Sequence, residues 1–274
     1  MEIFTDNILR MPLIALVLTG LMCGYLGIFV ILKRVVFLGA ALAEVSSAGI
    51  AAALLLGLNP VIGSLAFVLG GVGIFSIRAR RGVPQEAGVG IGYALAGALG
   101  VLLIHLGSGE AHMLDILTGC IIGVDVADVW LMLGVFLAIG VIHWLCFKEF
   151  IFTSFDPETA ASQGIKVRLF DVIIFLTLGV AVAVSLRSVG TLVTFAFLVI
   201  PGAAALALAR RMKTAILIAP IHAFIPAVLG YYLSYRFDLP TGATVTAVMI
   251  VLLLIPALLV KSKQYLPLLG ASSS

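Results

Sequence analysis

The chain has 274 residues, of which 62% are hydrophobic and 11% are charged, and its formal net charge is +3. Because a soluble domain carries about 25% charged residues, this composition excludes an ordinary soluble protein. Apolar runs recur along the chain, and many reach the length of about 18 residues that marks a helix able to cross a bilayer. We therefore predict an all-α, polytopic bundle of transmembrane helices.

The apolar runs predict about eight or nine membrane spans, since roughly 20 residues are needed for one crossing. The predicted spans are 11–32, 37–57, 60–77, 87–106, 127–147, 169–187, 189–209, 214–235 and 242–260. A further apolar stretch, 113–123, is too short to cross, so we expect it to be re-entrant or packed inside the protein. Prolines within the spans predict kinks or breaks; they are Pro201, Pro220, Pro226 and Pro256.

Glu44 is the one acidic residue that the spans place deep in the membrane, within 37–57. An ionised side chain there costs about 2.5–3.5 kcal/mol on insertion scales, so such a residue is functional or is paired within the bundle. Ala40 lies four residues before Glu44 and Ser47 lies three residues after it. At that spacing all three share one face of a helix.

The histidines form no ligand motif. His105 and His112 flank a loop, but they lack the spacing of a ligand pair on a helix. We expect His222 to be a hydrogen-bonded residue of the core, and His143, next to Trp144, to lie at the membrane interface.

Motifs of nucleotide binding and hydrolysis are missing from the sequence. It contains no GxxxxGK[ST] phosphate-binding loop, and neither a GxSxG nor an HExxH. We therefore expect a protein that is not an enzyme. Cys23, Cys120 and Cys146 make no CxxC or metal-binding pattern.

The basic residues are divided unequally between the two ends of the predicted spans. Of the 16 lysines and arginines, Arg10, Arg187 and Arg236 fall at one end and the remaining 13 fall at the other. Positive residues favour the cytoplasmic side, so we expect the N-terminus outside and the C-terminus inside the cell.

The longest polar loop, 148–168, contains a short helix whose two ends are marked in the sequence. Asp156 is an N-cap residue, and Pro157 suits the first helical position. Glu158 is favoured by the helix dipole, and Gly164 is typical of the residue after a helix C-terminus. The helix lies on the predicted cytoplasmic side, where it is either a docking surface for a soluble partner or a simple connection between two spans.

Short motifs occur in a fixed order along most of the chain. They are KRVVFLG at 33–39, GLNP at 57–60, FDPE at 155–158 followed by Gly164 and Ile165, VGTLV at 189–193, LVIPGAA at 198–204 and DLPTG at 238–242. This ordered set resembles the integral-membrane permease subunits of ABC-type importers for zinc, manganese and iron.

The resemblance implies a single transmembrane permease domain over 1–265, with a short tail over 266–274. It implies a homodimer in the bacterial cytoplasmic (inner) membrane, two cytoplasmic ABC ATPase subunits that bind and hydrolyse ATP, and an extracytoplasmic metal-binding protein. The helix near 156–164 would then be the coupling helix, with Asp156, Pro157, Glu158 and Gly164 as its ATPase-coupling residues. We expect a transported divalent metal ion, no cofactor bound by this chain and no nucleic-acid partner.

The sequence departs from this family directly after the Phe-Leu-Gly motif. Better-known members carry aspartate and, four residues later, histidine, whereas this chain has Ala40 and Glu44. Carboxylates suit manganese and other hard ions, while imidazole suits zinc, so zinc is favoured less without being excluded. Glu44 is the candidate metal-binding residue, and Ala40 and Ser47 are candidates for the same pathway.

Two other functions fit the same residues. A proton-coupled secondary transporter could use Glu44 as a proton relay, and a membrane assembly or sensor protein would have no transport pathway. Co-purification with a P-loop ATPase would distinguish the importer from both.

Overall fold

The computed structural model describes residues 7–76, 85–106 and 124–254, and all regular secondary structure within these ranges is α-helical. The helices are α1 (Asn7–Leu32), α2 (Val36–Leu55), α3 (Pro60–Phe75), α4 (Gln85–Leu106), α5 (Val126–Leu145), α6 (Phe147–Phe155), α7 (Pro157–Ser162), α8 (Val167–Val189), α9 (Thr191–Leu208), α10 (Met212–Phe237) and α11 (Thr241–Leu254).

The apolar helices correspond to the predicted spans. Among the described residues, seven helices are long and apolar enough to cross a membrane, and α3 and α11 are shorter apolar helices. This arrangement confirms the all-α transmembrane bundle. The apolar stretch 113–123, the tail 266–274 and Pro256 lie outside the described residues.

The prolines within the spans do not break their helices. Pro201 lies inside α9, and Pro220 and Pro226 lie inside α10. Of the two predicted effects, kinks or breaks, a break does not occur at these three positions. Neighbouring helices and small local adjustments can satisfy the backbone groups that a proline frees in a membrane helix.

The bundle is built around α1 and α8. Helix α1 packs against α5, α8, α9 and α10, while α8 also packs against α2 and α3. At Gly27 of α1 there is no room for a Cβ atom, because the Leu198 carbonyl of α9 occupies the space. A Cβ atom on Gly202 would lie 2.8 Å from the carbonyl carbon of Gly27. Small residues therefore allow direct contact between these two backbones.

The two ends of the bundle differ in charge. One end, which we call the Lys33 end, holds the end of α1, helices α6 and α7 and the start of α8. The other, the Arg187 end, holds the end of α8, where Arg187 lies 3.3 Å from Asp128 at the start of α5. Consecutive spans alternate in direction, which also brings further basic residues to the Lys33 end. These residues are Arg34, Lys148, Lys166, Arg168, Arg210, Arg211 and Lys213.

Candidate pathway and docking sites

Glu44 lies at the interface between α2 and α4. Its side chain is half-buried, and a Cβ atom built on Gly97 would lie 3.6 Å from the Oε2 atom of Glu44. One turn along α2, a Cβ atom on Gly100 would lie 3.8 Å from the Cα atom of Ala48. Glycines therefore bring the α4 backbone close to this face of α2, and they leave the Glu44 carboxylate partly accessible.

Ala40 and Ser47 share the Glu44 face, because α2 is continuous from Val36 to Leu55. Ala40 is half-buried and Ser47 is 4% exposed. Across residues 7–76, 85–106 and 124–254, Glu44 has no ion pair, and no three histidine, cysteine or acidic residues form a metal-binding group. Divalent ions need about four to eight ligands, so this part of a single chain does not supply a complete site.

A buried pair of serines fixes the orientation of α2, and sequence reasoning missed it. The Oγ atoms of Ser46 and Ser64 lie 2.8 Å apart, and the Ser64 hydroxyl donates to the Ala183 carbonyl oxygen at 3.4 Å. Both serines are at most 1% exposed. These bonds join α2, α3 and α8, and they hold the opposite face of α2 toward α4. The available signal was the pair of adjacent serines, Ser46 and Ser47, in an apolar run. The sequence does not show which of the two hydroxyl groups faces a hydrogen-bond partner on another helix.

His143 is buried inside the bundle, which contradicts the surface position expected of a residue in an interfacial belt. It is 1% exposed, whereas its neighbour Trp144 is 78% exposed. The Nδ1 atom of His143 lies 3.2 Å from the Tyr25 hydroxyl, and the Nε2 atom lies 3.0 Å from the Thr177 hydroxyl. Successive helical residues differ by about 100° in direction, so neighbours can point to the core and to the outside. His143 thus joins α5 to α1 and α8.

Helix α7 begins with the predicted cap. The Asp156 carboxylate accepts a hydrogen bond from the backbone N–H of Thr159 at 3.0 Å. Hydrogen bonds from the side chain and then the backbone of Thr159 hold the pKa of Asp156 below its ordinary value. Pro157 is the first residue of the helix, and Glu158 lies in its first turn.

Helix α7 also ends as predicted. Gly164 adopts a left-handed conformation with φ of +83°. Its N–H donates to the Ala161 carbonyl at 3.0 Å, and the N–H of Ile165 donates to the Ala160 carbonyl at 3.1 Å. This pair of bonds is the Schellman motif that satisfies the last carbonyls of a helix. Both ends of α7 are therefore fixed by local hydrogen bonds.

The exposed surface of α7 is suited to contact with another protein. Ala160 is fully buried and holds the helix against the bundle, while Asp156, Pro157 and Glu158 are exposed. Next to them, the apolar side chain of Phe155 is 58% exposed. Aromatic side chains are enriched at protein interfaces, yet the sequence-based set of docking residues did not include Phe155. Behind α7 lies a cleft of about 700 Å³.

Comparison with known proteins identifies relatives over nearly the whole chain. The ABC 3 transport family model matches residues 5–260. The "Manganese import system permease protein ScaB" of Streptococcus gordonii is 28% identical over 95% of this chain and 94% of that protein. The "Probable iron transport system membrane protein" of Haemophilus influenzae is 27% identical over 93% of this chain and 91% of that protein.

A solved structure shows the same fold. The structure described as "PsaBC from Streptococcus pneumoniae in complex with Fab" superposes with a TM-score of 0.85 at 27% sequence identity. The match covers 93% of this chain and 92% of that chain. The helical arrangement described above is therefore shared with a solved relative along almost its full length.

Proposed function

The chain belongs to the ABC 3 transport family, and from this membership we propose that two copies of it form the membrane pathway of an ATP-driven manganese importer. The chain itself is a multi-pass permease subunit. ATP would be bound and hydrolysed by two separate ATPase subunits, and an extracytoplasmic metal-binding protein would deliver the ion. The single domain would extend over 1–265.

The observation that carries this proposal is the geometry of α7. It is short, exposed and fixed by hydrogen bonds at both ends, and it lies at the end of the bundle where the basic residues collect. Positive residues favour the cytoplasmic side of a membrane, where a soluble ATPase would be found. A secondary transporter driven by protons has no need of such a docking helix.

The proposed ion follows from the chemistry of the α2 face. A carboxylate at Glu44 and a hydroxyl at Ser47 are oxygen donors, which suit hard ions such as manganese better than zinc. One Glu44 cannot complete a site, so we propose that Glu44 from each copy faces a shared pathway with water as a further ligand. The name of the Streptococcus gordonii relative supports manganese.

The proposed orientation places the Lys33 end in the cytoplasm and the Arg187 end outside the cell. The N-terminus would then be outside and the C-terminus inside the bacterial cytoplasmic membrane. The metal-binding protein would dock at the Arg187 end, and the ATPase would dock on α7 at the Lys33 end.

The test is ATP-driven uptake of radiolabelled Mn²⁺ by proteoliposomes that contain this chain and the ATPase with which it purifies. ATP is supplied on the α7 side, and the metal-binding protein is supplied on the other side. We expect uptake that requires ATP hydrolysis and continues when a protonophore collapses the proton gradient. Unlabelled Fe²⁺ and Zn²⁺ are added as competitors, and we expect Mn²⁺ to compete best.

A different result would support one of the other functions. Uptake without ATP that stops with the protonophore would indicate a secondary transporter with Glu44 as the proton relay. Purification without any ATPase, together with the absence of uptake, would indicate an assembly or sensor protein. Stronger competition by Fe²⁺ or Zn²⁺ would correct the ion and leave the ATP-driven mechanism in place.

A further inference from the structure

Lys33 lies at the meeting point of three helices. Its Nζ atom is 2.5 Å from the Asp171 carboxylate in α8, and it donates to the Thr153 carbonyl oxygen of α6 at 3.4 Å. The backbone N–H of Lys33 donates to the Phe29 carbonyl at 2.9 Å, so this residue continues the last turn of α1. One ammonium group therefore connects α1, α6 and α8.

The ammonium group of Lys33 is largely buried, while the Asp171 carboxylate is partly exposed at the cleft behind α7. The side chain of Lys33 is 8% exposed and that of Asp171 is 34% exposed. The Lys33 ammonium group also lies at the C-terminal turn of α6, where the helix dipole favours positive charge. Residue 32 ends α1 and residue 171 lies in the second turn of α8, so both contacts fall at the Lys33 end of the two central helices.

Helix α6 leads directly into the docking helix. Asp156 is at once the residue that follows α6 and the N-cap of α7, so no flexible linker separates the two helices. Phe150 anchors the middle of α6 by packing against His143, with ring centroids 4.6 Å apart. At the end of α6 that adjoins α7, the bond from Lys33 to the Thr153 carbonyl connects it to the central helices.

We propose that Lys33 is a positioning residue that fixes α6 and α7 to α1 and α8, so that a movement imposed on α7 is passed to both central spans. This inference rests on the proposed function, because the movement would come from the docked ATPase. Because α1 also contacts α9 directly at Gly27 and Gly202, α9 would move with α1.

A role in stability alone explains the pair less well. Lys33 is buried and Asp171 is partly buried. Replacing both members of a buried ion pair by apolar side chains is often neutral or stabilising, whereas removing one member leaves an unpaired charge. An apolar pair at these positions would preserve burial but lose the directed bonds to Thr153 and Asp171. The double variant Lys33→Met with Asp171→Leu therefore separates positioning from stability.

The first measurement uses the purified chain without any partner. Spin labels are placed at position 162 of α7 and position 208 of α9, where Ser162 and Leu208 are exposed, after replacement of the native cysteines. In the chain that carries only the labels, we expect a narrow distribution of the distance between the two labels. In the double variant we expect a broad distribution, while the melting temperature stays the same. Lys33→Arg should keep the narrow distribution. An equally narrow distribution in the double variant would overturn the proposal.

The second measurement uses the complex with its ATPase. The double variant should assemble and hydrolyse ATP, but Mn²⁺ uptake per ATP should fall about tenfold, a typical size for the loss of coupling between two sites. Arg34→Met is the matched control, because it removes an exposed charge from the same cleft. Normal uptake per ATP in the double variant would contradict the proposal. If the unchanged complex shows no ATP-driven uptake, the proposed function fails and the spin-label distances alone decide whether Lys33 fixes α7.

Discussion

Adjacent residues in this chain can have opposite environments. His143 is buried against Tyr25 and Thr177, while Trp144 faces outward. The sequence shows that a polar residue lies within a span, but the face it occupies depends on helices that are distant in the chain. For this reason the position of Glu44 within an apolar helix could be predicted, whereas its proximity to Gly97 of α4 could not.

At the residue scale, Glu44→Gln tests the proposed pathway. The substitution keeps the size of the side chain and its place beside α4, but it removes the negative charge that would attract a cation. Mn²⁺ uptake should fall at least about tenfold, in the range typical of lost contacts around a metal site. Dimer assembly and ATP hydrolysis should remain intact. The measurement is the initial rate of radiolabelled Mn²⁺ uptake in proteoliposomes.

The matched control for this prediction is Glu86→Gln. Glu86 is exposed in the first turn of α4, so the same chemical change is made outside the proposed pathway. Its uptake should equal that of the unchanged protein. A Glu44→Gln variant that transports equally well would show that Glu44 is a structural polar contact and that the ion passes elsewhere.

At the scale of the element, α7 was the most predictable part of the molecule. Its cap at Asp156 and its left-handed glycine at Gly164 act through bonds within a few residues, so local sequence was sufficient to place them. The contact between Gly27 and Leu198 was not predictable in the same way. A small residue permits a close approach, but only the folded bundle shows which helix makes it.

Gly164→Val tests whether the shape of α7 matters for coupling. No atom lies within 4 Å of a Cβ built on Gly164, so a side chain there has space. The cost comes instead from the left-handed backbone, roughly 1–2 kcal/mol for an ordinary residue. We expect normal membrane insertion and a lower ATPase stimulation by the metal-loaded binding protein. The measurement is ATP hydrolysis with and without that protein.

A second substitution at the same position separates backbone conformation from side-chain bulk. Asparagine tolerates the left-handed conformation better than most residues, so Gly164→Asn should couple nearly normally. If the valine and asparagine variants show the same ATPase stimulation, whether normal or reduced, then the left-handed backbone at residue 164 does not determine coupling.

At the scale of the whole molecule, the sequence predicted the spans well because each crossing needs only length and apolar composition. The predicted and observed helices agree to within a few residues along the described chain. The ion pairs could not be predicted in this way. Lys33 and Asp171 are 138 residues apart in sequence, and their contact exists only because α1 and α8 lie side by side.

The charge difference between the two ends predicts how the whole molecule is oriented. Ser162 is exposed on α7 at the Lys33 end, and Leu239 is exposed in the turn between α10 and α11 at the Arg187 end. In a chain whose native cysteines have been replaced, Ser162→Cys should react with a membrane-impermeant thiol reagent only from the cytoplasm. Leu239→Cys should react only from outside the cell.

The two labelling positions also test the docking proposal, since α7 can receive a cytoplasmic ATPase only if Ser162 is on the cytoplasmic side. Positive residues determine orientation most strongly when they lie in short loops. The basic residues near α7 meet this condition, because the segment that joins span α5 to span α8 is far shorter than about 60 residues. Reaction of both cysteines from one side would mean that the spans do not alternate as the fold implies. Reaction with the two sides exchanged would place α7 outside the cell and exclude its contact with an ATPase.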